Sequence, residues 1–193
     1  MPPAPQMPPL SFAADMNIEK YLTDPEIFQY KLIDAYNIPF SQSVVDMCKA
    51  NRCGKYDTCW TCPPGVGTMD ELERKIKSYK NACVFTCKYD LEDCFDFEGM
   101  VEGQKCTKQV LQSIIDSLNA DGVKFMALGC EGCGICGKCT YPDAPCRFPE
   151  KAVPSVEACG INVVELARKS GINYNNGADT VTYFCIILYQ ELI

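Results

Sequence analysis

CEGCGICGKCTYPDAPCRFP, residues Cys130 to Pro149, is the stretch around which the rest of the chain is organised. It sets Cys130, Cys133, Cys136 and Cys139 three residues apart and adds Cys146 seven further on. Neither the helix period nor the strand period aims residues three apart at one point, so the segment is a loop folded around something. Gly132, Gly134 and Gly137 stand between the thiols, and Pro142, Pro145 and Pro149 stiffen the far side. A cuboidal iron–sulfur cluster takes three thiolates from one short loop and a fourth from further away, with the backbone wrapped close to the inorganic core. C-x2-C-x2-C meets that demand.

Fifteen cysteines and no histidine decide which chemistries remain. Without histidine there is no Ser-His or Cys-His catalysis, no histidine-ligated zinc and no Rieske centre. The odd thiol count and the lack of a signal-peptide pattern or an Asn-x-Ser/Thr sequon speak against a secreted disulfide scaffold. A reducing cytoplasm, where thiolates stay free for metal, is the expected compartment. The net charge of −7 and pI near 4.7 set nucleic acid and anionic membrane aside as partners. The longest apolar run, Phe184 to Tyr189, is too short to cross a bilayer. At 193 residues the chain fits one domain, residues 16–193, behind a disordered proline-rich tail at residues 1–15.

Upstream of the main loop, Val123 to Leu128 reads as a strand that delivers the chain into it. Before that strand, Cys106, Val110, Ile114 and Leu118 repeat every fourth residue and predict a helix over Gln104 to Asn119. Leu91 to Gly103 reads as a solvated acidic loop anchored by Phe95 and Phe97. Ala82 to Tyr89 reads as a strand whose Cys83, Phe85, Cys87 and Tyr89 share a face, with Cys83 and Cys87 as packing residues. Thr68 with Glu71 three on is a capping box, and Met69, Leu72, Ile76 and Tyr79 form the apolar face of the helix it starts. At the amino end, Asn17 to Tyr36 has helical spacing, interrupted at Thr23-Asp24-Pro25, with a second helix restarting there and ending before Pro39. Ser41 to Met47 reads as a short strand. Downstream, the chain turns helical after Cys146, with Asn162 and Glu165 as a second capping box and Gly171 as the stop. Thr180 to Tyr189 has the dense apolar content of a central strand covered on both faces. The expected fold is α+β or α/β, a small mixed β-sheet with flanking helices. Both long cysteine-rich loops should emerge at one edge of it.

The second of those loops runs from Cys48 to Gly67, CKANRCGKYDTCWTCPPGVG. Its Cys48, Cys53, Cys59 and Cys62 are metal-ligand candidates, spaced too irregularly for a zinc ribbon with its two C-x2-C pairs. Cys59-x2-Cys62 supplies one such pair, and Cys62-Pro63 matches the Cys-Pro that closes ferredoxin motifs. Trp60 inside the loop either covers an apolar edge or shields a cluster from water.

Taken together, C-x4-C-G-x-Y-x3-W-x-C-P-P over Cys48 to Pro64 and E-G-C-x2-C-x2-C-T-Y-P-x-A-P-C-R-F-P-E over Glu131 to Glu150 resemble a family of predicted metal-binding proteins. That family is a cysteine-rich domain of unknown function frequent in anaerobes. P-S-x-E-A-x-G over Pro154 to Gly160 and T-V-T-Y-F over Thr180 to Phe184 are similar too. The resemblance implies that Cys48, Cys53 and Cys62 belong to one motif and Cys133, Cys136, Cys139 and Cys146 to the other. Cys59 and Cys130 stand outside the pattern.

All-thiolate sites select iron–sulfur clusters, zinc or Cu(I). The ferredoxin-like triplet points to [4Fe–4S] clusters, one on each loop, with zinc as the alternative. Cys133, Cys136, Cys139 and Cys146 are the expected ligands of the main site, with Cys130 a neighbour. Cys59 is expected to close the first. Lys138, Arg147 and Lys151 either solubilise the main loop or offset the charge of an anionic cluster. Three functions follow: electron transfer to a redox partner protein, an enzyme with one open iron, or a structural zinc module that mediates interactions.

Overall fold

The computed structural model describes residues 17–190, so the proline-rich tail expected at residues 1–15 lies outside it. Its centre is a sheet of β1 (Ile27–Asp34), β2 (Asn81–Asp90), β3 (Phe125–Leu128) and β4 (Thr180–Tyr189). The strand order is β1-β2-β4-β3 and every pairing is antiparallel, so the class is α+β. The helices are α1 (Gln42–Lys49), α2 (Met69–Lys77), α3 (Phe97–Ala120) and α4 (Val163–Ser170).

The strand period of two divides the apolar residues of β2 and β4 between two cores. Ala82, Val84, Phe184, Ile186 and Leu188 face one side, where Leu72 and Ile76 of α2 and Leu166 of α4 cover them. Cys83, Phe85, Cys87, Cys185 and Ile187 face the other, under Val110, Leu111, Ile114 and Leu118 of α3. Each such fully buried side chain contributes about 1.5–3 kcal/mol. The α3 helix comes very close to the sheet at Gly103, where a Cβ would lie 2.6 Å from the Tyr89 ring. Packing on both faces is why β4 carries so little polar alternation.

Local capping signals hold at two helices. The Thr68 side chain accepts from the Glu71 N–H while Glu71 reaches back to the Thr68 backbone, and Asn162 accepts from the Glu165 N–H. Gly171 ends α4 in the left-handed region at φ 69°.

Five expectations are corrected. The second amino-terminal helix is the edge strand β1, paired with β2 from Ile27↔Cys87 to Asp34↔Asn81, and only Ile18–Tyr21 before it is helical, as a 3-10 turn. Ile27, Tyr30 and Ile33 fit a helix face, but Phe28, Tyr30 and Leu32 fit a strand face equally well, and pairing to β2 decides. Ser41 to Met47, expected as a strand, is mostly the helix α1. The helix expected from Gln104 starts at Phe97, capped by Asp96, whose side chain accepts from the Gly99 N–H. Phe95 and Phe97 anchor nothing: both are exposed, at 87% and 72%. The region after Cys146 stays irregular up to a 3-10 turn at Glu157–Cys159, and regular helix begins only at Val163.

Candidate metal centre

The main cysteine loop leaves the edge strand β3 and returns to where it started. The Gly129 N–H donates to the Pro154 carbonyl at 2.9 Å, and the Val156 N–H donates to the Gly129 carbonyl at 2.9 Å. This parallel bridge between Gly129 and Ser155 clamps the base of the excursion. Clamping offsets the closure entropy of a long irregular segment. Inside it, Thr140 Oγ1 donates to the Pro145 carbonyl and Arg147 donates to the Lys138 carbonyl at 3.0 Å. Arg147 is therefore a brace across the loop, whatever its charge does for a bound group.

The first loop joins the end of α1 to the cap of α2. Asn51 and Asp57 turn it through the left-handed region, at φ 52° and 58°, which Asn and Asp tolerate better than most residues. Asn51 Oδ1 accepts from the Tyr56 N–H, the Asp57 N–H donates to the Pro63 carbonyl, and the Val66 N–H donates to the Cys62 carbonyl. Pro63-Pro64 in this loop and Tyr141-Pro142 in the other are cis.

The two loops lock together. The Cys133 N–H donates to Thr61 Oγ1 at 2.9 Å, and that hydroxyl lies 3.6 Å from the Cys59 sulfur. Trp60 Nε1 donates to the Ala144 carbonyl at 3.1 Å, and its ring meets Tyr141 edge-on at 4.9 Å between centroids. Tyr141 in turn donates to Asp57 at 2.9 Å. A Cβ on Gly132 would lie 3.0 Å from Cys62 Sγ, so a thiol of one loop rests on bare backbone of the other. Trp60 therefore sits at the junction of the loops.

Nine of the fifteen cysteines thus fall in two loops that touch, and their environments differ from one another. Burial pushes the Cys62 thiol up to about 12, with the thiols of Cys59, Cys53 and Cys48 adding to the effect. Burial also opposes ionisation of Cys59, but hydrogen bonds from Thr61 and Cys62 outweigh it and hold that thiol below its ordinary value. Cys133 is raised, first by burial and further by Cys146, Cys136 and Cys59. Cys48 is raised by burial and then by Cys53. Cys59 of the first loop acts on both Cys62 of its own loop and Cys133 of the other.

Openings lie on both sides of this junction. One, of about 360 Å³, is lined by Cys48, Cys53, Cys62, Cys130 and Glu157 among others. A larger cleft of about 850 Å³ lies between the main loop and β3, with Trp60, Leu72, Lys75, Phe125, Met126 and Cys146 in its wall. Among the described residues no three thiols or carboxylates gather at the spacing that a single ion needs. Tetrahedral zinc at about 2.3 Å from each sulfur holds its ligands less than about 4 Å apart. By chemistry the donor set fits a thiolate-bound metal, with four thiols and the Glu131 and Glu157 carboxylates lining the smaller opening.

A family model described as a predicted metal-binding protein, DUF2284, matches residues 31–189. The chain belongs to the DUF2284 family. No curated protein and no solved structure matches it. The matched region takes in both cysteine loops and all four strands except the start of β1.

Within this DUF2284 domain the expected ligands divide by position. Cys48, Cys53 and Cys62 line the smaller opening, Cys136 and Cys146 both act on the Cys133 thiol in the main loop, and Cys139 lies between Cys136 and Cys146 in the same loop. Cys59 is buried at the junction. Several residues of the site were not singled out beforehand. Thr61 ties the loops, Ser155 clamps the loop base and Glu157 lines the smaller opening. Lys108 of α3 forms an ion pair with Glu131 beside the thiols. Ser155 and Glu157 are fixed positions of P-S-x-E-A-x-G, which is a sequence signal for both; the roles of Thr61 and Lys108 depend on folding.

Proposed function

We propose that this protein is a cytoplasmic iron–sulfur protein that holds two [4Fe–4S] clusters and passes single electrons to a partner enzyme. The observation that carries this reading is the direct seam between the loops, from Thr61 to Cys133 and from Cys62 to Gly132. Two cofactors held by loops in contact are close enough to exchange electrons, whereas two structural ions have no need to be neighbours. The main loop would hold its cluster through Cys133, Cys136, Cys139 and Cys146, and the first loop through Cys48, Cys53 and Cys62 with one further donor. When bound, such a cluster supplies one-electron oxidation and reduction. The chain's own part is to dehydrate the sulfurs, orient the thiolates and donate backbone hydrogen bonds around them. Among the described residues no helix is long and apolar enough to cross a membrane.

The large cleft favours a second reading. With Cys146 and Trp60 in its wall and Lys75 and Lys124 facing it alongside Asp143 and Glu150, it offers a polar organic molecule a place beside the main loop, which suits an enzyme with an open iron. One experiment separates these readings. Protein purified without oxygen is assayed for iron and acid-labile sulfide, reduced, and examined by EPR with and without cyanide. Equal iron and sulfide, with interacting reduced signals that ignore cyanide, is the expected result. Signals that shift with cyanide favour the enzyme, and zinc without sulfide overturns the cluster reading in favour of a structural module.

A further inference from the structure

We infer that Cys130, and not Cys59, is the fourth thiolate of the first metal site, so that one site takes ligands from both loops. This rests on the two-centre reading above. A ligand must line the opening that its metal occupies. The opening beside the first loop is lined by Cys48, Cys53, Cys62 and Cys130, and Cys59 is absent from its wall. Cys59 is buried beside it and turned to Thr61, whose hydroxyl also accepts from the Cys133 N–H. Those contacts hold it between the two sites.

Cys130 is positioned by rigid structure. It follows Gly129 directly, and Gly129 is clamped to Ser155 at the base of the main loop. Its sulfur lies 4.0 Å from the Gln104 carbonyl of α3, and Gln104 lines the same opening. Behind it the chain packs on the apolar floor of Cys83, Phe85, Cys87 and Cys185, and the carboxylates that share the opening are Glu131 and Glu157, harder donors than the four thiols. In front of it, Gly132 leaves room for the Cys62 sulfur to approach. Three thiols from one loop and one from a strand end is the arrangement a cuboidal cluster needs, with the distant ligand supplied by another segment. Binding converts the Cys130 thiol to thiolate and releases its proton to solvent. The 3+1 sharing also explains why the loops are locked by Thr61 and Trp60, since a shared site fails if they part.

The test compares Cys130→Ser with Cys59→Ser, both purified without oxygen. Cys130→Ser is expected to hold half the metal of the wild-type chain, while Cys59→Ser holds all of it. The reverse pattern overturns the inference. A second measurement does not depend on how well a variant folds. Iodoacetamide labelling of wild-type protein, read by peptide mass spectrometry, is expected to spare Cys130 when metal is bound and to modify it after chelation. Equal labelling of Cys130 in both states overturns the inference. A wild-type chain that carries no metal at all overturns the two-centre reading itself, and that result is known before either variant is made.

Discussion

Cys83 and Cys87 on β2 and Cys159 before α4 are wholly buried among apolar side chains, whereas Cys48, Cys53, Cys62 and Cys130 line an opening at the seam of the two loops, with Cys59 buried beside it. The functional group is the same in both regions, but in the first set burial outweighs every other influence, including the hydrogen bonds of Thr107 and Tyr89 to Cys87. It pushes each of the three core thiols up to about 12, so they remain neutral and act as small hydrophobes. In the seam, burial competes with hydrogen bonds and with other thiols, which leaves Cys59 below and Cys62 above the ordinary value. Cys185 and Cys130 join the regions: the Cys185 thiol donates to the Cys130 sulfur, which lowers Cys130 and raises its wholly buried partner. A count of cysteines therefore says little about metal. Which of them face an opening says much more.

The strongest way to break this comparison is to remove one thiol from each region. Cys136→Ser is expected to abolish the main site and lower stability by a sizeable part of the about 10–16 kcal/mol that a structural thiolate site supplies. Cys83→Ser, which puts a hydroxyl into the core, should cost about 1–3 kcal/mol and leave the metal content unchanged. Metal analysis and thermal melts of the two variants read both quantities. Metal loss in Cys83→Ser would erase the distinction between core and seam.

Much of this frame was legible beforehand, for physical reasons that differ by element. The caps at Thr68 and Asn162 are local chemistry and need no tertiary context. The central strands β2 and β4 announce themselves by dense β-branched and aromatic residues, because both of their faces are covered. β1 was misread because an edge strand with Gln29 and Lys31 inside it carries little signal, and only its pairing with β2 separates it from a helix. α1 reads as a strand because the β-branched pair Val44-Val45 lies at the centre of Ser41 to Met47, although Ser41 stands at the N-cap. At the site, spacing identifies thiols that converge, but not which opening they share. The placement of Cys130 follows from the clamp to Ser155, and Ser155 is 25 positions away in sequence.

An alkaline titration sharpens the comparison with a smaller effect. The three core thiols have folded values near 12 against an ordinary value of 9.0, so the folded chain holds more protons than the unfolded one in between. The stability this represents is fully present below pH 9 and is lost as pH rises toward about 12, at about 1.4 kcal/mol per pH unit for each thiol. Metal-bound seam thiolates carry no proton and add nothing to the slope. Urea midpoints of the loaded protein across that window should fall steeply, and Cys87→Ala should make the fall shallower. A flat profile would mean that the core thiols are not held neutral by burial.

The smallest expected effect lies at the clasp between the loops. Trp60→Phe keeps a ring beside Tyr141 but removes the donor to the Ala144 carbonyl. That bond is exposed to solvent, so water can replace it, and the loss should be about 0.5–1.5 kcal/mol, near the lower end. Trp60→Ala removes the edge-on aromatic contact as well, which is worth about 0.5–1.5 kcal/mol beyond the area it buries. If the indole serves only to hold the loops together, both variants should melt earlier in that order, and Trp60→Phe should keep its full metal content. Limited proteolysis of the two variants reads the same clasp independently, with cleavage in the main loop faster in Trp60→Ala. Loss of metal from Trp60→Phe with little change in melting would instead make the indole a shield of the centre, the second of the roles its place in the sequence allowed.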